Sequence, residues 1–224
     1  MIPTELVGSA QVPGSNGQLR CYRHDGAFTF RIDGVELMCS RVFGSEQQLA
    51  ELALQRLGAR PAPRVLVGGL GMGFTLARTL ALVDADAVVE VVELVPEVVT
   101  WNRELLGQCA GHPLRDARTK LVLGDVRETI VAGKAVYDAM LLDVDNGPAG
   151  LSRASNSWLY TDAGLARSRD ALRPGGVLGI WSAAEQRSFA ARLRHIGFDV
   201  VEHRVRARRN KGPRRTIWIG ARTG

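Results

Sequence analysis

Cysteine is scarce in this chain. Only Cys21, Cys39 and Cys109 occur among 224 residues, with no Cys-x-x-Cys pair and no histidine at metal-ligand spacing. A set so sparse and odd argues against a disulfide framework and against any metal site. It predicts three buried or half-buried thiols and a cytoplasmic location. Long hydrophobic runs are missing too. The richest apolar stretch, 87–100, is interrupted by Glu90, Glu93 and Glu97, far short of the roughly 18 uninterrupted residues that a membrane span needs. No basic segment followed by an apolar core opens the chain, so no secretory signal and no membrane partner are expected. Internal repeats and low-complexity tracts are absent from the sequence as well.

The composition is that of a globular protein. Hydrophobic residues make up 46% and charged residues 23%, too apolar a mixture for intrinsic disorder. Lys and Arg number 29 against 23 Asp and Glu, and the excess gathers in Arg204, Arg206, Arg208, Arg209, Lys211, Arg214 and Arg215. Such a cluster can meet nucleic acid, but no aromatic residues interleave it and its flanks read as strands. It is therefore expected to be a solvated hairpin tip, with no nucleic-acid partner.

Two textures divide the chain. From 6 to about 40 short strands alternate with turn chemistry at 13–17, 24–26 and 33–34, and Phe28, Phe30 and Ile32 alternate with Thr29 and Arg31. A helix with Ser45 as N-cap and a stripe of Leu49, Leu52, Ala53 and Leu57 follows, ending at Gly58. Residues 1–60 are thus expected to form a β-hairpin unit plus a helix. Residues 61–224 are expected to form a Rossmann-like domain, because near-continuous apolar strands (65–67, 87–93, 120–123, 137–142, 177–181) alternate with helices. The spacing predicts a helix over about 184–195, then two strands, 198–206 and 216–221, joined by the basic stretch.

The first strand-to-helix turn carries glycines at 68, 69, 71 and 73. A dinucleotide fingerprint starting at Gly69 would need its third glycine at the position of Phe74. The G-x-G-x-G form, with Leu70 between its first two glycines, resembles instead the nucleoside-binding loop of S-adenosylmethionine-dependent enzymes. Glu93 ends the second strand twenty residues past Gly73, where a carboxylate can accept hydrogen bonds from ribose hydroxyls. Asp125 ends the third strand and can accept from an adenine amino group, while Asp143 ends the fourth. Leu94 and Val126 flank these acids. In an open parallel sheet all of these positions fall at one crevice.

On these residues, the chain resembles the spermidine synthase family, the aminopropyltransferase branch of the class I methyltransferase fold. The resemblance covers about residues 20–220. It rests on 31–35, 65–73, 91–99, 124–128, 137–143, 147–149 and 172–178, which include Asp33-Gly34, Glu93, Gly124-Asp125 and Asp143. It implies a seven-stranded α/β sheet with a small N-terminal β unit, a ribose-binding Glu93, an adenine-binding Asp125 and a catalytic Asp143.

The departures from the family pattern are local. Gly71 stands where the family has an acid facing the amine end of decarboxylated S-adenosylmethionine, and a loop without that charge would not repel the carboxylate of ordinary S-adenosylmethionine. Glu36-Leu37-Met38 and Ser45-Glu46-Gln47-Gln48 replace polyamine-holding motifs. These departures lead to the expectation of S-adenosylmethionine as cofactor and of methyl transfer to a small-molecule amine or hydroxyl. Asp143 would be the base, helped by Asp145. Asn146, Trp158 and Tyr160 would line the acceptor side with Asn156, an aromatic ring facing the sulfonium. The alternatives are aminopropyl transfer from decarboxylated S-adenosylmethionine to a diamine, and an adenosyl-binding protein without turnover. A homodimer is the assembly considered.

Overall fold

The structure is a computed structural model and describes residues 2–144, 154–186, 188–208 and 211–224, the side chains of 154–156 excepted. Four N-terminal strands, β1 (Glu5–Gln11), β2 (Gln18–His24), β3 (Ala27–Ile32) and β4 (Val35–Cys39), form an antiparallel sheet in chain order. Two of its hairpins turn at Asp25-Gly26 and Asp33-Gly34, where all four residues have positive φ. That is the geometry that Asp-Gly pairs favour between twisted strands. Alternation then buries Phe28 and Phe30 on one face.

Helix α1 (Gly44–Leu57) follows, and its N-cap is Phe43 rather than the expected Ser45. The first turn is fixed from outside, because the Gly44 N–H donates to the Ala207 carbonyl. Ser45 lies one residue inside and donates to Glu46 Oε2. The helix lays Leu49, Ala50 and Ala53 on the larger sheet, where Leu49 and Ala53 meet Gly179.

The remaining elements alternate. They are β5 (Arg64–Gly68), α2 (Phe74–Leu82), β6 (Val88–Glu93), α3 (Pro96–Glu104), β7 (Thr119–Leu123), α4 (Val126–Ala132), β8 (Tyr137–Leu142), α5 (Asp162–Ala171), β9 (Leu172–Ser182), α6 (Phe189–His195), β10 (Phe198–Arg206) and β11 (Arg214–Arg222). The seven strands order as β10-β11-β9-β8-β5-β6-β7, with only β11 antiparallel to its neighbours. This is the expected α/β architecture. Helix α6 is shorter than expected, since the Ser182 hydroxyl closes a local turn on Ala184 and holds the following residues out of the helix.

Strands β5, β6 and β8 are buried on both faces, so they read as continuous apolar runs. Polar exceptions are paired. Glu90 accepts from Tyr137 Oη and Arg64, and Asp138 accepts from the Arg64 N–H and Arg173. Among the described residues, no helix is long and apolar enough to cross a membrane.

The small sheet docks on the large domain through aromatic packing. Phe30 of β3 lies 5.6 Å from Trp101 of α3, and a Cβ at Gly8 would come within 2.8 Å of that indole. Truncating a buried Trp to Ala costs about 3–5 kcal/mol in well-packed sites. Trp101→Ala is therefore expected to lower the melting temperature and to expose residues 5–39 to proteolysis. Circular dichroism melts and limited digestion would check this, and unchanged protection would refute the docking role.

Candidate active site

Strands β5, β6, β7 and β8 run parallel and end at one edge, and the chain reverses direction across the sheet between β5 and β8. A crevice opens at such a switch point. Its floor is the turn after β5. Gly69, Gly71 and Gly73 all have positive φ, and a Cβ at Gly69 would meet the Asp143 carbonyl at 2.6 Å. Only glycine fits there. Gly71 lies under Met38, whose Cε would be 2.9 Å from an added Cβ.

Glu93 sits at the centre of this floor, buried, with its carboxylate already engaged. Oε2 accepts from the N–H groups of Leu70 (2.9 Å) and Gly71 (3.4 Å), and Oε1 from Val95 (2.9 Å). Burial pushes its pKa upward and these amides oppose the shift. Asn102 of α3 steadies the same turn by donating to the Gly71 carbonyl at 2.8 Å. Asp125 caps α4 by accepting from the Arg127 N–H at 2.9 Å through Oδ1, and its Oδ2 has no partner among the described residues.

A first cavity lies between this edge and the small sheet. Gly69, Gly71, Glu93, Leu94, Asp125, Val126 and Asp143 line one side, and Leu19, Phe30, Ile32, Leu37 and Met38 cover the other. A second cavity, of about 250 Å³, adjoins it and is lined by Glu46, Trp181, Ala207, Pro213 and Arg215. Leu37, Met38 and Asp143 line both, so Asp143 stands at the junction.

Asp143 does not face that junction alone. Thr75, in the first turn of α2, donates to its Oδ2 at 2.6 Å, and Glu46 of α1 is its acidic neighbour. Burial pushes Asp143 up to about 6 despite the Thr75 hydrogen bond. Burial and the Asp143 charge push Glu46 up to about 7, with Ser45 and Arg215 pulling the other way. Two carboxylates of raised pKa facing a cavity can hold a cation, or take a proton from a nucleophile, near neutral pH.

Of the expected acceptor-side residues, Trp158 and Tyr160 are the ones whose side chains are described. Asp145 and Asn146 fall outside the described residues, as does the Asn156 side chain. Trp158 is half-buried with the Arg127 guanidinium 4.8 Å over its ring, so a cation already covers one face. Tyr160 is buried against Phe189 and its hydroxyl donates to the Val144 carbonyl at 3.2 Å, which braces the cavity wall from behind. Gly73 serves as the N-cap of α2.

Sequence reasoning missed Glu46, Thr75, Asn102, Trp181 and Arg215. The basic stretch also needs correction at Arg215. The β10–β11 hairpin exists, and Arg204 pairs with Glu185 at its surface, but Arg215 turns into the second cavity with its guanidinium 5.5 Å over the Trp181 ring. Arg209 lies outside the described residues.

With this geometry in hand, comparison with known proteins is informative. No family model matches the chain. Over 131 residues it is 29% identical to polyamine aminopropyltransferases of Saccharolobus islandicus, a match covering 58% of this chain and 42% of the relative. The chain thus spans less than half the length of the curated relatives it matches. Spermidine synthase from Thermotoga maritima superposes with a TM-score of 0.72 at 18% identity over 96% of this chain and 72% of that one. A spermidine synthase in complex with the transition state analogue AdoDATO gives the same values. A probable spermidine synthase from Corynebacterium glutamicum gives 0.66 at 21% identity, over 96% and 79% of the two chains. The chain is thus similar in sequence to polyamine aminopropyltransferases and shares the fold of spermidine synthases. These matches also overturn the expectation of methyl transfer, since the relatives are aminopropyltransferases and the neighbours spermidine synthases.

Two tests follow from the carboxylates. Leaving a buried donor unpaired costs about 1–3 kcal/mol, so Glu93→Ala should destabilise the spermidine synthase-like fold by at least one such amide. Chemical denaturation would measure it, and an unchanged midpoint would deny Glu93 its hold on the glycine turn. The raised pKa values of Glu46 and Asp143 mean that the folded chain binds protons more tightly than the unfolded one. Their contribution to stability is therefore full below about pH 4 and is lost as pH rises through about 6–7. Glu46→Gln should flatten the fall in melting temperature between pH 5 and 8, and an unaltered slope would show that Glu46 does not titrate in that window.

Proposed function

We propose that this chain is an aminopropyltransferase, moving the aminopropyl group of decarboxylated S-adenosylmethionine to an amine. The observation that carries the reading is the placement of Asp143 at the junction of the two cavities, with Glu46 as a second acid beside it. An ammonium group entering a low-dielectric crevice needs carboxylate partners, because a desolvated, unpaired charge is costly. Glu46 supplies one where the sequence motifs suggested a loss.

The residues of the first cavity fit an adenosyl group. Asp125 has a free carboxylate oxygen for an adenine amino group, and Ile32, Leu94 and Val126 offer apolar faces. Glu93 would meet the ribose hydroxyls through the lone pairs its three amides leave free. The co-substrate supplies an electrophilic carbon bonded to a sulfonium. Asp143 and Glu46 orient the acceptor amine in line with that carbon and lower its charge. As the amine nitrogen forms the new C–N bond, the C–S bond breaks and its electron pair passes to sulfur, releasing neutral methylthioadenosine. Asp143 receives the proton that the nitrogen sheds. Catalysis is then positioning plus proton removal.

The deciding assay is release of methylthioadenosine from decarboxylated S-adenosylmethionine in the presence of small amines. Asp143→Asn keeps the shape and removes the base, so turnover should fall by about 10²–10⁴-fold while methylthioadenosine still binds. Failure to release the thioether with any amine would sink the reading, and turnover within a few-fold of wild type in Asp143→Asn would remove Asp143 from the chemistry.

A further inference from the structure

We infer that the acceptor amine carries a carboxylate, so that the second cavity takes an amino acid with a side-chain amine rather than a plain diamine. The inference rests on the aminopropyl-transfer reading of the site and concerns its other end.

The topology brings a cation to this cavity. Strand β11 runs antiparallel to β9, so the start of β11 lies beside the end of β9, at the same edge as Asp143. Arg215 and Trp181 therefore line the same cavity as Glu46 and Asp143. Arg215 is half-buried, and its only described hydrogen bond is a long one, 3.4 Å, from Nη1 to the neighbouring Arg214 carbonyl. No salt bridge joins it to Glu46 or to any other described carboxylate. Its Nε and the Trp181 Nε1 are both buried N–H donors without a partner among the described residues.

A ligand that satisfies this wall must bring acceptor atoms. Alkylammonium groups are donors only. A diamine would leave both N–H groups unpaired and would set a second cation against a guanidinium in a desolvated site, which is repulsive. A carboxylate reverses each term. It accepts from Trp181 and from the Arg215 fork, the geometry that guanidinium groups bind most strongly. The acids keep their task, since Glu46 and Asp143 receive the amine. The cavity thus carries acids that reach the reaction junction together with a guanidinium, and an amino acid with a terminal amine brings a partner for each.

Ornithine and putrescine differ only by a carboxylate, as do lysine and cadaverine. Calorimetry of the full chain with these four compounds should show each amino acid binding at least about tenfold more tightly than its diamine, the scale of one charge-assisted pair. Arg215→Gln should abolish that preference and leave the diamines bound as well or better. Trp181→Phe, which removes only the indole N–H, should reduce the preference several-fold. Diamines binding as tightly as the amino acids, a preference that survives Arg215→Gln, or no binding of any of the four would each overturn the inference. The wild-type comparison does not depend on a variant folding. Methylthioadenosine release separates the two readings. Amino-acid selectivity without release would remove the transfer reading alone, and release with putrescine but not ornithine would remove this one alone.

Discussion

The buried carboxylate of Glu93 cannot stay in the crevice floor without donors, and the chain supplies them from three backbone N–H groups. That requirement ties the turn after β5, through Leu70 and Gly71, to the turn after β6, through Val95. The same edge is laced further by Gly69 donating to the Val92 carbonyl and Gly124 to the Glu93 carbonyl. Three strand ends thereby become one hydrogen-bonded unit. Asp143 is fixed to it twice, by its N–H on the Gly68 carbonyl and by a carbonyl so near Gly69 that no side chain fits between them. The geometry of this edge is thus set by backbone groups gathered around the Glu93 carboxylate.

The second cavity is held under electrostatic tension of a different kind. Glu46 and Asp143 are withdrawn from water with one side-chain hydroxyl each in support, Ser45 for one and Thr75 for the other, while Arg215 also favours the charge on Glu46. Both carboxyls hold their protons to higher pH than usual. Arg215 is depressed by the same burial. Groups of both signs are therefore less charged, or less well paired, than their chemistry favours. A zwitterionic ligand relieves both sides together, whereas a simple cation relieves only one. Ligand binding at such a site should stabilise the fold more than the contact area suggests, because it also recovers the cost of burying the protein's own charges.

Much of this was legible in the residues, and the reasons are specific. Double-sided burial made β5, β6 and β8 continuous apolar runs, which can only be central strands. Glu93, Asp125 and Asp143 stood out because acids at the ends of such strands have to face a crevice. Glu46 did not stand out, because an acid in the first turn of a helix is ordinary; what singles it out is that α1 points that turn at the end of β8. Arg215 was hidden among six other basic residues, and only the antiparallel placement of β11 against β9 separates it from them. Trp158 misled for the opposite reason. Its position in sequence follows β8, but Arg127 of α4 already occupies its ring. Ser45 failed as a cap because the neighbouring Ala207 carbonyl, distant in sequence, took hold of the helix's first N–H.

The small N-terminal sheet is therefore more than an appendage to the larger domain. The large sheet supplies the polar groups of the crevice, and Leu19, Phe30, Ile32, Leu37 and Met38 supply the apolar cover. Ligand sites of this kind form between structural units because two surfaces can exclude water where one cannot. Met38 makes the dependence concrete. It lies over Gly71 and borders both cavities, in the space that a side chain at position 71 would enter. An acid at 71 would have to displace the flexible end of the Met38 side chain. With no charge on the loop, the described acids left to orient a cationic group are Asp143 at the junction and Glu46 and Glu36 in the second cavity, which concentrates recognition in the space they share with Arg215 and Trp181.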